Sequence, residues 1–169
     1  MEYEDLIEKI YKAMGLVVWE MEVAWDYGVG FSLHHSEVQL LDTIDLCPDA
    51  NAGELARHIG VTGGAVSQVT KKLLDKGLVE SYRMPDNRKE VFFRLTPLGE
   101  KVCRGHEKHH EKTDESFQNF ISRSSEKDLQ VICNFLDTMI QGIENVKESY
   151  GISSDLLNRN IKAIRVKGA

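Results

Sequence analysis

Between Asn51 and Glu100 the apolar residues switch from helical to alternating spacing, with glycines at the joins. Leu55, Ala56 and Ile59 share one face of a helix over Glu54 to Ile59, and Gly60 stops it. Thr62 offers a hydroxyl to cap a second helix. That helix turns Val66, Val69, Leu73 and Leu74 inward and leaves Gly63, Gly64, Ser67, Gln68, Lys71, Lys72 and Asp75 outside. Gly77 supplies the left-handed residue that ends it. Leu78 to Arg83 and Glu90 to Leu95 then alternate apolar and polar residues around the turn residues Pro85-Asp86-Asn87. Two short helices about a tight turn, followed by a hairpin with a charged tip, predict a winged helix-turn-helix.

The outward face of the second helix points to double-stranded DNA. Thr62, Gly64, Ser67 and Gln68 are short or polar where a helix start enters a major groove, and Lys71 and Lys72 follow where its flank meets phosphates. Glycines here weaken a helix, so the local rule is broken where a backbone has to come close to a ligand. At the hairpin tip Arg83, Arg88 and Lys89 suit the minor groove, which a narrow ribbon reaches and a helix does not. Asp86, two residues before Arg88, is expected to hold that guanidinium in one rotamer by a charge-assisted hydrogen bond.

The run from Gly77-Leu78-Val79 through Asp86-x-Arg88 to Leu95-Thr96-Pro97-Leu98-Gly99 resembles the MarR (multiple antibiotic resistance regulator) family of transcription factors. The resemblance covers about Tyr3 to Tyr150. It implies a homodimer that binds a pseudo-palindromic operator, acts as a repressor and answers to a small-molecule or metal effector. The family's wing carries another charged residue and a second arginine after Asp-x-Arg. Lys89 and Glu90 stand there in this chain, so Asp86 and Arg88 are the positions that carry over.

Composition bounds the alternatives. The chain has 169 residues, 41% hydrophobic and 28% charged, with no apolar run near the roughly 18 residues of a membrane span and no signal peptide. A cytoplasmic protein without membrane contact is expected. The net charge of −6 argues against nucleic acid until it is divided. Ala52 to Lys101 holds nine Lys and Arg against six Asp and Glu, net +3, which leaves 12 against 21, net −9, elsewhere. An acidic body repels non-specific DNA while a basic face keeps the site, although a +3 segment also arises by ordinary fluctuation. Cys47, Cys103 and Cys133 form no CxxC pair and read as buried structural thiols. Redox sensors of the resembled family place a reactive cysteine in the first helix, which has none here.

Taken in order, the spacing of Ile7, Ile10, Met14, Val17, Val18, Met21 and Trp25 predicts a first helix from about Tyr3 to Tyr27, broken by Gly28-Val29-Gly30. Ser36 is expected to cap a second helix that buries Val38, Leu40, Leu41 and Ile44 and ends at Cys47-Pro48, with Asn51-Ala52 as a short edge strand beside the hairpin. Thr96-Pro97 starts a helix running to about Ile121. After Arg123-Ser124-Ser125, a last helix carries Leu129, Ile132, Leu136, Met139, Ile143 and Val146 as a narrow stripe. The fold class is mostly α with a small β-hairpin wing. Residues 1–30 and 97–150 form a helical dimerisation region, 33–96 the winged DNA-binding domain and 151–169 a tail. Long terminal helices with surplus apolar surface imply a two-fold dimer, which sets two recognition helices roughly 34 Å apart. In the tail, Leu157, Ile161 and Ile164 share a face and Arg159, Lys162, Arg165 and Lys167 make it basic, as a short amphipathic helix or as disorder.

No cofactor is required by this reading, but zinc is a candidate effector. His106 and His110 are i, i+4 neighbours, the spacing at which two imidazoles meet one metal ion. Glu20 or Glu22 from the first helix and His35 before the second complete a set of four. The pattern is similar to the zinc-responsive members of the family, whose helix after the wing holds His-x-x-x-His just before a threonine, as His106 to Thr113 does. Their second-helix histidine falls at Ser36 here, so His35 substitutes. Against this, HEKHHEKTDE also reads as a solvated helix face. Trp19, Trp25, Tyr27 and Phe31 are the alternative, as the lining of a cleft for an aromatic effector or as core.

The same histidines satisfy HExxH, the zinc-hydrolase pattern with Glu107 as base. Its context is poor: no substrate cleft surrounds it, and a third ligand has to come from Glu126 or Asp128 across a helix break. No phosphate loop or nucleophile elbow is present, so the chain reads as a non-enzyme.

Overall fold

The computed structural model describes residues 3–151, so the basic tail from Ile152 lies outside the described residues. Six helices and one hairpin follow in the order α1 (Tyr3–Glu22), α2 (His35–Leu46), α3 (Ala52–Ile59), α4 (Gly63–Asp75), β1 (Val79–Met84), β2 (Asn87–Leu95), α5 (Pro97–Arg123) and α6 (Glu126–Ser149). The mostly helical class with an antiparallel wing is as expected. No helix among the described residues is long and apolar enough to cross a membrane.

One core lies under the helix-turn-helix. Leu33, Leu40, Leu41, Leu55, Leu73, Leu78, Val38, Val66 and Val102 are all at most 1% exposed, so α2, α3, α4, the hairpin root and the first turns of α5 close on one another. The local signals act as anticipated. Asn51 and Glu54 exchange side-chain-to-backbone hydrogen bonds at 2.9 Å each, which starts α3 at Ala52 rather than Glu54. Thr62 accepts from the Ala65 N–H at 3.2 Å. Thr96 accepts from the Gly99 N–H at 3.1 Å while donating to the Gly77 carbonyl at 2.7 Å, which ties the start of α5 to the end of α4.

Four expectations need correction. The first helix stops at Glu22, not Tyr27, because Trp25 pairs its backbone with Leu33 in both directions, at 3.0 and 2.9 Å. The Asp26 carboxylate accepts from the N–H groups of Gly28, Val29 and Gly30, so the turn is nucleated before the glycines, and the Val29 N–H above all holds that carboxyl below its ordinary range. In α2 the N-cap is His34, with Ser36 inside the helix. Glu37 reaches back to the His34 N–H at 3.0 Å, and the same carboxylate meets Lys76 at 2.7 Å. In α4, Leu74 is exposed and Thr70 is buried in its stead, its hydroxyl satisfied by the Val66 carbonyl at 2.7 Å. Of the cysteines only Cys103 is buried; Cys47 is half-buried and Cys133 exposed.

The hairpin turn is Pro85-Asp86 alone, and Asn87 already pairs with Met84. Pairing is regular from Val79↔Leu95 to Tyr82↔Phe92 and then breaks, leaving Arg88 to Val91 opposite Arg83. Asn51 forms a lone backbone bridge to Phe92, while Ala52 belongs to α3, so the expected edge strand shrinks to one residue. Neither α1 nor α6 has a buried residue.

Candidate nucleic-acid interface and histidine cluster

The second helix of the motif presents an unobstructed row. Gly63, Gly64, Ser67, Gln68, Lys71 and Lys72 are all exposed along α4. A Cβ at Gly63 would meet nothing within 4 Å, and one at Gly64 only the Thr62 hydroxyl at 3.9 Å. Internal packing therefore does not require these glycines. Ser67 returns its hydroxyl to the Gly63 carbonyl at 2.9 Å, which leaves its oxygen lone pairs facing out. Thr62 acts as the cap, and Lys71 and Lys72 stand in no ion pair among the described residues.

The wing tip is held differently from the expectation. Asp86 makes no hydrogen bond or ion pair with Arg88 among the described residues. Arg83 instead donates its guanidinium to the Arg88 carbonyl, and Asn87 and Glu90 clasp each other, side chain to side chain at 2.6 Å and Glu90 N–H to Asn87 at 3.3 Å. Arg88 and Lys89 remain exposed. The spacing of Asp86 and Arg88 assumes a simple turn, whereas the register beyond Tyr82↔Phe92 is irregular.

Beside this domain, α1, α2 and α5 converge on the histidines. His106 Nδ1 lies 2.8 Å from Asp42 Oδ2, and the Nε2 atoms of His106 and His110 face each other at 3.0 Å. Glu20 Oε1 is 3.2 Å from His109 Nε2 and 3.8 Å from His110 Nδ1. Burial holds His35 and His110 below the ordinary histidine value, with His106 adding to both and Glu20 opposing. Such imidazoles stay neutral and keep a lone pair available near neutral pH. Asp42 and His109 were missing from the sequence-derived set. Asp42 sits on α2 at no motif spacing from α5, and no local signal finds it. Glu22 is exposed and stands in no ion pair with the cluster among the described residues.

The four aromatic candidates divide. Trp19 and Trp25 meet edge-on at 5.9 Å, Trp25 packs on His109 at 4.8 Å and Tyr27 on His106 at 5.3 Å, whereas Phe31 lies apart under the Lys76 ammonium at 5.8 Å. Tyr27 is buried, and that burial, then Glu20 and Asp42, push its phenol up to about 12, so it stays protonated. A shallow cavity of about 450 Å³ opens beside Tyr27, Lys101, Arg104, Lys108 and His109, and the other three aromatic candidates do not line it.

A helix-turn-helix with an open polar and cationic row, beside a wing with a cationic tip, defines a winged-helix DNA-binding transcriptional regulator. Residues 33–91 match the model of the MarR family. It is 29% identical over 134 residues to the HTH-type transcriptional regulator YhjH of Bacillus subtilis, covering 75% of each chain. The crystal structure of ZitR, a zinc-responsive MarR family member from Lactococcus lactis, superposes with a TM-score of 0.68 at 22% identity, over 84% of this chain and 99% of that one. Streptococcus pneumoniae FabT in complex with DNA gives 0.63 at 25% identity, over 86% and 100%. The relatives are named as transcriptional regulators, and nothing among them supports the HExxH hydrolase reading.

Proposed function

We propose that the protein is a cytoplasmic, homodimeric repressor that reads a two-fold-related operator and takes a metal ion, zinc first, as its effector. In this reading Thr62, Gly64, Ser67, Gln68, Lys71 and Lys72 meet the major groove and its phosphates, and Arg88 and Lys89 meet the minor groove on a tip shaped by Arg83. The second copy covers the apolar faces left open on α1, α5 and α6, where Leu16, Val17, Val18, Phe117, Phe120, Ile121 and Val131 are each more than half exposed. The helices at the two ends and the winged domain between them then keep the division expected from sequence.

The observation that carries the metal reading is the pair of Nε2 atoms 3.0 Å apart with Asp42 on the far nitrogen of His106. A carboxylate that accepts from Nδ1–H fixes the tautomer and turns the Nε2 lone pair outward, as carboxylates behind histidine ligands do. Two imidazoles with the Glu20 carboxylate, and His35 nearby, are a donor set of the kind zinc takes. When bound, the metal supplies Lewis-acid cross-links between these groups. Among the described residues no three of these groups already converge as ligands. In this reading the side chains come together on binding, and the metal acts as an effector if that closed arrangement differs from the open one in affinity for DNA. ZitR, similar in fold, is named as zinc-responsive.

Stoichiometric zinc uptake is expected in the wild type and lost in His106→Ala/His110→Ala, measured by equilibrium dialysis. Full retention by the double variant dismisses the metal reading. Operator selection from a random pool, with and without zinc, should return a symmetric site. A monomer at micromolar concentration in sedimentation would refute the dimer. Arg88→Ala is expected to weaken operator binding by ~1–3 kcal/mol in a gel-shift titration at fixed salt, and unchanged affinity removes the wing from recognition.

A further inference from the structure

We propose that Asp49 and Tyr82 are positioning residues of the wing: the hydrogen bond between them clamps the hairpin at its last regular pair and so sets where Arg88 is presented. This rests on the reading that Arg88 meets DNA.

Tyr82 donates its hydroxyl to Asp49 Oδ1 at 2.5 Å, across from the loop between α2 and α3 to β1. Asp49 has a φ of 64°, and it is the only residue other than glycine with a positive φ among the described residues. A glycine takes that backbone more easily. What Asp49 adds is therefore its carboxylate, and among the described residues that carboxylate has one hydrogen-bond partner, Tyr82. The acceptor also pushes the Tyr82 phenol above its ordinary value, which keeps it a donor.

The clamp is doubled by the backbone. Asn51, two residues on in the same loop, bridges to Phe92, and Phe92 is the cross-strand partner of Tyr82, their rings 5.7 Å apart. On the other side Arg94 sits 5.7 Å over the Tyr82 ring and is anchored by Glu80 at 2.9 and 3.1 Å. Directly beyond this pair the regular register ends, and the irregular segment with Arg83, Arg88 and Lys89 begins. A two-stranded ribbon is weakly held by its own pairing. The last fixed point before the irregularity therefore determines the direction of the tip.

The test is a double-mutant cycle on operator affinity by gel-shift titration at fixed salt. Tyr82→Phe is expected to bind about fivefold more weakly, the scale of one net intramolecular hydrogen bond, with a thermal midpoint lowered by a few degrees at most. Asp49→Gly, which relieves the backbone but removes the acceptor, is expected to match it. Asp49→Asn, which keeps an acceptor and tolerates the same φ, is expected to restore binding. In an Arg88→Ala/Lys89→Ala background Tyr82→Phe should cost nothing further, because the residues it aims are gone. Wild-type affinity for Tyr82→Phe, or the same loss in both backgrounds, overturns the proposal. If Arg88→Ala itself binds normally, the groove contact of the wing fails first and the positioning role fails with it.

Discussion

Lys76→Met is expected to destabilise the fold by about 2–3 kcal/mol, read as a lower urea midpoint at unchanged slope. Glu37 is 2% exposed and its carboxylate has two partners, Lys76 Nζ at 2.7 Å and the His34 N–H at 3.0 Å. Removing the ammonium leaves a buried charge with one neutral donor. The cost falls below the ~3–5 kcal/mol of a fully enclosed pair because Lys76 keeps 31% of its side chain in water. Burial by itself raises the Glu37 carboxyl, but Lys76 and the His34 N–H together outweigh it and hold it below the ordinary range. A depressed folded value means that this stability is present above the ordinary carboxylate range and is lost as pH falls through the folded value. The deficit of the variant should therefore shrink on acidification, since a protonated Glu37 no longer needs the lysine. A deficit that does not change with pH, or none at neutral pH, would show that the pair contributes little.

Gly105→Ala should cost about 3 kcal/mol or more, and Gly99→Ala a similar amount, in the same denaturation experiment. A Cβ at Gly105 would stand 2.1 Å from the Tyr27 carbonyl oxygen, and one at Gly99 2.1 Å from that of Leu78. Both obstacles are backbone, which does not swing aside as a side-chain end does. At Gly99 the Leu78 carbonyl also accepts the Thr96 N–H at 3.0 Å, so retreat breaks the join between α5 and the hairpin. At Gly105 the strain falls next to His106, so under the proposed metal reading the alanine variant should lose zinc affinity along with stability. Gly142→Ala on α6 is the control, because its Cβ would meet nothing within 4 Å of this chain. Equal stability of all three variants would contradict the close approaches.

What the sequence made legible follows the reach of each signal. Thr62, Gly60 and Gly77 act on neighbours within about four residues, as Thr96 does in its capping bond, and each does what its side chain or backbone freedom predicts. The same local chemistry was misread where a distant partner competes for the residue. Trp25 continues the apolar period of α1, but its backbone pairs with Leu33. Ser36 is a good cap by type, yet Glu37 is drawn inward by Lys76, 39 residues away, and fixes the cap at His34. Within the histidine cluster, the i, i+4 pair was visible because it lies on one helix. Asp42, 64 residues from His106, was not. Asp49 and Tyr82 carry no motif at all, and only the fold brings them together.

Helices α1 and α6 bury none of their residues within one chain, which bears on how the regulator's level acts in a cell. A single chain gives these helices little reason to persist, since most helical stability comes from packing an apolar face. If a second copy covers them, as proposed, folding and association become one equilibrium, and the thermal midpoint rises with protein concentration. Dilution then removes the regulator twice, by lowering its occupancy of DNA and by unfolding the chains that remain.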